Sequence, residues 1–231
     1  NAIAREFFLL GAQVVILDYD AEALKKSVDG INGDILSFNV DLKNRLAVKT
    51  VLEQITLNYG GMDILISNAG IAPQGSMAEI SEEVLRESFE INFFTHYVLA
   101  REFYRVFKKQ GSTGQILFNI SKQAINPGKN FGAYGLPKSA LMALVRQLAL
   151  EFSEFGIRVN GINADRVQSG LLNDSMIKER AIARKVSVKD YLNGNLLGKE
   201  VEALHVAKAF VVLAQSKRTT GHVMTVDGGN T

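Results

Sequence analysis

The chain has no cysteine and no tryptophan, and only three prolines among its 231 residues. Without cysteine it has no disulfide framework, thiolate metal site or thiol nucleophile, a composition at home in a reducing cytoplasm. Its three histidines, His96, His205 and His222, have no metal-ligand spacing, so no metal is expected. An excess of one charge is also lacking. The 26 Lys and Arg against 24 Asp and Glu leave a net +2, which predicts no basic face for nucleic acid or membrane binding. Long apolar runs are missing as well: the stretch from Ala140 to Leu148 is broken by Arg146, far short of the roughly 20 residues a membrane span needs. Arg5 and Glu6 interrupt the N-terminal apolar stretch, which does not read as a signal peptide. No repeat, low-complexity tract or linker divides the chain, so residues 1–231 are read as one domain acting on a small molecule.

What is present is alternation. Ile3, Phe7 and Leu10 share a helical face ahead of Gly11; then QVVILD reads as a buried strand, AEALKKSV as a helix and ILSFNVD as a second strand. A helical segment from Asn44 to Asn58, the strand DILIS, a long helical region from about Ser81 to Lys108 and the strand QILFNIS continue the pattern. A helix from about Gly132 to Phe155, the strand IRVNGIN, a less regular stretch from Asp165 to Lys199, a helix through Phe210 and the strand HVMTV complete it. Gly60-Gly61 and Asn32-Gly33 read as turns. Near-continuous Val, Ile and Leu runs alternating with helices predict a parallel sheet covered on both faces, a three-layer α/β/α arrangement. Such sheets bind ligands at the carboxyl ends of their strands, which directs attention to Asp18, Asp41, Asn68, Ser121 and Asn163.

The sharpest local signal is Tyr134-Gly135-Leu136-Pro137-Lys138, with Ser121 thirteen residues before the tyrosine and Asn92 in the run FEINFF. A tyrosine and a lysine four apart are, alone, a chance helical pair; the combination carries the argument. A free tyrosine, with a pKa of about 10, is a poor base near neutral pH, so something must stabilise its phenolate. A lysine at i+4 lies on the same helical face and favours the ionised phenol by Coulomb attraction. Pro137 between them is expected to place the pair in the first helical turn, where a missing amide proton costs little.

Together Asn92, Ser121, Tyr134 and Lys138 resemble the Asn-Ser-Tyr-Lys tetrad of the short-chain dehydrogenase/reductases. The resemblance implies a Rossmann-like doubly wound sheet, and an oxidoreductase that interconverts a hydroxyl and a carbonyl or oxidises an aldehyde. By the resemblance, Tyr134 is expected to exchange the proton of the substrate hydroxyl, Ser121 to hold the reacting oxygen, and Lys138 also to meet the nicotinamide ribose. By the same resemblance, Asn92 is expected to order a water that relays the proton from Lys138. Asn68-Ala69-Gly70 matches the family's Asn-Ala-Gly turn beside the dinucleotide, and Asp41 matches the acidic residue beside the adenine. The run from Thr220-Gly221 to Asp227-Gly228-Gly229 matches the closing strand and turn. Asp18, at the end of QVVILD, can accept the adenosine ribose hydroxyls but repels a 2′-phosphate, so NAD is expected rather than NADP. Asp20 is better placed than Asp18 to cap the following helix. The family also implies a homodimer or homotetramer. The helix from Gly132 adds to this, since Met142, Val145 and Ala149 form an apolar face beside that of Leu141, Leu144, Leu148 and Phe152, more than one sheet face is expected to cover.

The chain departs from the family in two places. The first strand and glycine-rich turn, Thr-Gly-x-x-x-Gly-x-Gly, have no counterpart, and Asn1-Ala2-Ile3-Ala4 aligns just after that turn. The expectation is a sheet of order 3-2-1-4-5-6 lacking its strand 1, with a hydrophobic slot in its place and further residues before Asn1 in the intact protein. After IRVNGIN, Ala164-Asp165 stands where the family has Pro-Gly. That change, with FNISKQAINPG and SGLLNDSMI, resembles the dehydrogenase domain of bifunctional aldolase/short-chain dehydrogenases, and implies an aldolase domain upstream and a small, sugar-derived hydroxyaldehyde or polyol as substrate. Residues 165–199 take the place of a substrate lid, with Met176, Ile177, Ile182 and Val186 as covering side chains. The basic run Lys178, Arg180, Arg184 and Lys185 reads first as a solvated helix face; Lys122 and Arg166 are the candidates for reading substrate charge. Two other readings stay open: a truncated, catalytically incompetent interaction module, and an isomerase or lyase that uses the cofactor transiently.

Overall fold

The Val, Ile and Leu runs form parallel strands because the connections between them are helices that cover the strands on both faces. The computed structural model describes residues 1–31 and 33–230. Asn32, half of the Asn32-Gly33 turn read from the sequence, lies outside the described residues, as does Thr231. The strands are β1 (Val15–Asp18), β2 (Leu36–Asn39), β3 (Ile64–Ser67), β4 (Gly114–Asn119), β5 (Ile157–Ala164) and β6 (Val223–Val226). β1 pairs in parallel with β2, setting Asp18 opposite Asn39. β3, β4, β5 and β6 form a second parallel sheet in that order.

The helices are α1 (Ala2–Leu9), α2 (Ala21–Asp29), α3 (Arg45–Tyr59), α4 (Glu82–Phe89), α5 (Thr95–Gln110), α6 (Gly132–Phe152), α7 (Asp174–Ala183), α8 (Val188–Leu192) and α9 (Ala203–Gln215). Ile3 and Phe7 of α1 and Phe210 and Leu213 of α9 pack with Leu117 and Ile162 on one face of the strands. Phe103 and Phe107 of α5 and Leu141, Val145 and Leu148 of α6 pack with Ile116 and Phe118 on the other. The expected three-layer Rossmann-like arrangement is therefore what the structure shows. Its sheet is in two pieces: β1 and β3 are not hydrogen-bonded to each other, and a cleft of about 1970 Å³ runs between Ile16 on one side and Ile64 and Ile66 on the other. Among the described residues no helix is long and apolar enough to cross a membrane.

Several sequence expectations change in three dimensions. The long helix from Ser81 is interrupted by a π-helical turn, Glu90–Phe94, which carries Asn92 inward to complete burial. Pro137 is not in the first turn of α6 but well inside it. The amide it lacks leaves the Ala133 carbonyl without its helical donor, and the buried Ser88 hydroxyl of α4 donates to that carbonyl at 2.7 Å instead. The second apolar face of α6 does not await a partner. Val145 and Ala149 are buried within the chain, and Met142 packs against the same core, because α5 covers what the sheet does not. In the stretch from Asp165 to Lys199, Ile177 and Ala181 pack with Tyr191 of α8, whereas Ile182 and Val186 are exposed and cover nothing.

Candidate active site

Parallel strands deliver their polar ends to one rim of the cleft. Just past β4, Ser121 caps a short 3-10 turn, its hydroxyl accepting from the Gln123 amide at 3.2 Å. Tyr134 and Lys138, one turn apart at the start of α6, are both buried. Lys138 Nζ donates to the Asn119 carbonyl at 2.9 Å and lies 5.9 Å from the centroid of the Tyr134 ring. Asn92 sits behind the turn after β3: its Oδ1 accepts from the Ile71 amide at 3.2 Å, and its Nδ2 donates to the Ile71 carbonyl and to Ser88 Oγ, both at 2.9 Å. Gly70 makes this proximity possible. A Cβ there would stand 2.9 Å from Asn92 Oδ1 and 3.8 Å from Lys138 Nζ, so only glycine fits without displacing the amide. The structure thus brings Asn92, Ser121, Tyr134 and Lys138 to one place. Ser121 and Tyr134 line the cleft, with Asn92 and Lys138 beneath its floor.

Burial governs the proton affinities. It lowers Lys138 from 10.5 to about 7, because the ammonium has left water without gaining a carboxylate. It raises Tyr134, and the neighbouring Ser121 hydroxyl opposes that rise by hydrogen bonding to the ionised form. Coulomb attraction from Lys138 and a positive nicotinamide ring, expected from the sequence to favour the phenolate, therefore acts against the desolvation of both groups. His96, four residues beyond Asn92, is also fully buried and held well below its ordinary value, first by burial and then by the Lys138 charge. Its Nδ1 shares a hydrogen bond of 2.6 Å with Ser67 Oγ. His205 closes the N-terminus of α9, its Nδ1 accepting from the Glu202 amide.

The residues expected to meet a dinucleotide, Asp18, Asp41, Asn68, Ala69 and Gly70, all line the cleft. Asp18 accepts from the Asp20 amide at 3.0 Å, while Asp20 itself caps α2. Asp41 accepts from the Lys43 amide at 2.9 Å, and Asn68 Oδ1 accepts from Asn119 Nδ2 at 2.7 Å. An acidic strand end, an exposed Asn-Ala-Gly backbone and a glycine whose missing Cβ leaves room suit the adenosine and nicotinamide ribose portions of a dinucleotide. Asn163 is buried, and its amide lies 3.4 Å from Thr225 Oγ1 on the neighbouring strand.

At the carboxyl end of β5, Lys122 and Arg166 meet at Asp165, at 3.7 and 3.5 Å, and Asn230 hydrogen-bonds the same carboxylate oxygen. Arg166 also donates to the Tyr191 and Gly194 carbonyls at 2.7 and 3.0 Å, fastening α8 and the turn after it to the end of β5. It does so from a left-handed backbone, φ 50°, uncommon for a residue with a side chain. The sequence gives no role to Ser88, and it does not show the buried contact of His96 with Ser67 or the gathering of cations on Asp165. For Ser88 a signal existed, since a proline in a helix interior leaves a carbonyl in need of a donor. For Asp165 it was the departure from Pro-Gly.

The whole chain, residues 1–231, matches the family described as Enoyl-(Acyl carrier protein) reductase. It is 31% identical over 242 residues to the uncharacterized oxidoreductase YuxG of Bacillus subtilis, covering 99% of this chain but only 35% of that protein's length. An uncharacterized oxidoreductase of Thermotoga maritima is 29% identical over 229 residues, 96% of this chain and 88% of that one. Among solved structures, the crystal structure of 3-ketoacyl-(acyl-carrier-protein) reductase from Brucella melitensis complexed with NADH superposes with a TM-score of 0.88 at 26% identity, over 99% of this chain and 91% of the other. Fold, family match and relatives agree: the chain belongs to the short-chain dehydrogenase/reductase family of oxidoreductases.

Proposed function

We propose that the chain interconverts a hydroxyl and a carbonyl, or oxidises an aldehyde, on a small sugar-derived substrate with NAD, and that Tyr134 is its acid/base. The observation that carries this reading is the meeting of Ser121 and Tyr134 at a cleft whose other rim carries Asp18 and Asn68-Ala69-Gly70. A bound nicotinamide dinucleotide supplies the hydride acceptor in oxidation and the donor in reduction. Tyr134 Oη takes the proton of the substrate hydroxyl, or returns it in the other direction, while Ser121 Oγ holds the reacting oxygen. Lys138 serves both the phenol and the nicotinamide ribose. Both Nδ2 hydrogens of Asn92 are already engaged, so its part in a proton relay falls to the second lone pair of Oδ1. The test is a screen of short polyols and hydroxyaldehydes by NADH absorbance. A protein that binds NADH yet neither forms nor consumes it with any of them would contradict the reading.

The choice of NAD rests on the Asp18 carboxylate at the end of β1, where a 2′-phosphate would be repelled. Asp18→Ala is expected to narrow the preference for NADH over NADPH by roughly 1–3 kcal/mol, read from fluorescence titrations of both. An unchanged ratio would remove Asp18 from the ribose site.

Two further parts belong to the same proposal. The chain acts as a homodimer or homotetramer, a reading supported by Phe94 and Tyr97, which leave apolar surface exposed where α5 begins; a monomer in light scattering at micromolar concentration would contradict it. It also works beside an upstream aldolase domain, as the sequence likeness implies and as the short share of the Bacillus subtilis relative allows. The intact mass of the natural protein tests this.

A further inference from the structure

The basic run of the lid region separates once α7 is wound. Met176, Arg180 and Arg184 follow one another at intervals of four and line the cleft, as side chains stacked along one helical face do. Ile177 and Ala181 turn instead into the small cluster with Tyr191, and Lys178 and Lys185 are exposed away from the cleft.

Arg180 is placed unusually for a surface cation. Its guanidinium carbon lies 3.7 Å from the centroid of the Phe131 ring, and that ring packs edge-on, at 6.4 Å, against the ring of Tyr134. One aromatic ring therefore separates the guanidinium from the proposed acid/base. Arg180 Nε is buried without a hydrogen-bond partner, and among the described residues no carboxylate stands within ion-pair distance of this side chain. Arg184 and Arg166 both approach the Tyr191 ring, at 5.2 and 4.9 Å. Arg166 is engaged with Asp165 and two carbonyls, and Lys122 shares that same Asp165. Arg180, Arg184 and Lys122 thus face the cleft, and among the described residues Asp165 is the one carboxylate within ion-pair distance of the cluster, with the Asp227 charge acting on Lys122 from farther off. Burial lowers the proton affinity of both Arg180 and Lys122, as expected for cations drawn from water ahead of any full counter-charge. A buried donor left unsatisfied is destabilising unless a ligand completes it.

We propose that Arg180 and Arg184, with Lys122, form a subsite for a phosphate group on the substrate, whose reacting hydroxyl or carbonyl then lies at Tyr134. Two guanidiniums with no carboxylate of their own among the described residues, beside a lysine that shares Asp165 with Arg166, suit a dianionic phosphate better than a single carboxylate, and a guanidinium held against an aromatic ring presents its donors in the fork that phosphate oxygens accept. The inference rests on the oxidoreductase reading only for what happens at Tyr134; the anion site is defined by its own residues.

The experiment is calorimetric titration of the NADH-saturated protein with inorganic phosphate, and separately with acetate. Saturable phosphate binding in the millimolar range is expected, weakened about tenfold by Arg180→Gln, which corresponds to a loss of about 1.4 kcal/mol, and unchanged by Lys178→Gln. Should Arg180→Gln fail to fold, Arg184→Gln provides the same comparison. Absence of phosphate binding, or binding that both arginine variants leave unaltered, overturns the subsite, and acetate binding as tightly as phosphate overturns its assignment to a phosphate. The two readings fail separately. Phosphate binding that depends on Arg180 supports the subsite even if every substrate in the screen is inert, whereas turnover of neutral polyols without phosphate binding overturns the subsite and leaves the oxidoreductase.

Discussion

Tyr134→Phe is expected to lower turnover by about 10²–10⁴-fold, the usual worth of positioned general acid/base catalysis, while NADH affinity stays within about threefold of the parent. The substitution removes one oxygen and keeps the ring that packs edge-on against Phe131. Stability should change by no more than about 1 kcal/mol, since the lost interaction is a single neutral hydrogen bond. A second signature separates this role from a structural one. Burial raises the Tyr134 phenol above its ordinary value, so oxidation should accelerate as pH rises and the base form becomes populated. The residual activity of the phenylalanine variant should lose that limb of the profile. Activity retained within threefold, or a pH profile parallel to the parent, would remove Tyr134 from the chemistry.

Lys138→Met should have the other large effect, and it acts on two quantities in opposite directions. Turnover is expected to fall by on the order of 10²-fold or more, because the ammonium is the cation placed beneath the phenol. NADH affinity should fall with it if the same ammonium meets the ribose; a loss confined to turnover would break that second assignment. Stability should move the other way. Lys138 is buried, with a proton affinity brought down to about 7 against 10.5 in the open chain. Between these values the unfolded chain binds more protons than the folded one, so the parent gains stability as pH rises through the window and loses it as pH falls toward 7, with a slope of up to about 1.4 kcal/mol per pH unit. Methionine has no such dependence. Urea unfolding of the two proteins, each without cofactor, should therefore show the variant's advantage greatest at pH 6 to 7 and shrinking toward pH 10. Parallel profiles would mean that Lys138 keeps an ordinary proton affinity.

These two variants also mark how far the sequence could be read. That the tyrosine, the lysine and Ser121 come together was legible because the proposed chemistry demands those residue types at near-fixed spacing, and the spacing survives in one dimension. The sign of the burial effect was not legible. Desolvation depends on what surrounds the side chain, and Lys138 is enclosed by the Gly70 turn, Asn119 and the first turns of its own helix. The same division appears at Ser88. A proline inside α6 announces an orphaned carbonyl, but that its donor comes from α4, 45 residues away, follows only from the packing of the two helices.

The sequence by itself determined the alternation of strands and helices, their parallel sense, the rim to which the polar strand ends are delivered and the types of side chain that the proposed chemistry uses. These follow from short-range periodicity, backbone geometry and the chemistry of single side chains. Only the tertiary structure decided which faces meet. It turned Asn92 inward through a π turn held by Ile71, buried both apolar faces of α6 within the chain, and sorted Arg180 and Arg184 into the cleft from Lys178 and Lys185 in solvent. It also drew Lys122, Arg166 and Asn230 onto Asp165. Helical periodicity specifies which residues share a face but carries no information about what stands opposite. That is set by contacts between residues far apart in the chain, whose closure entropy is overcome by the burial of the core as a whole.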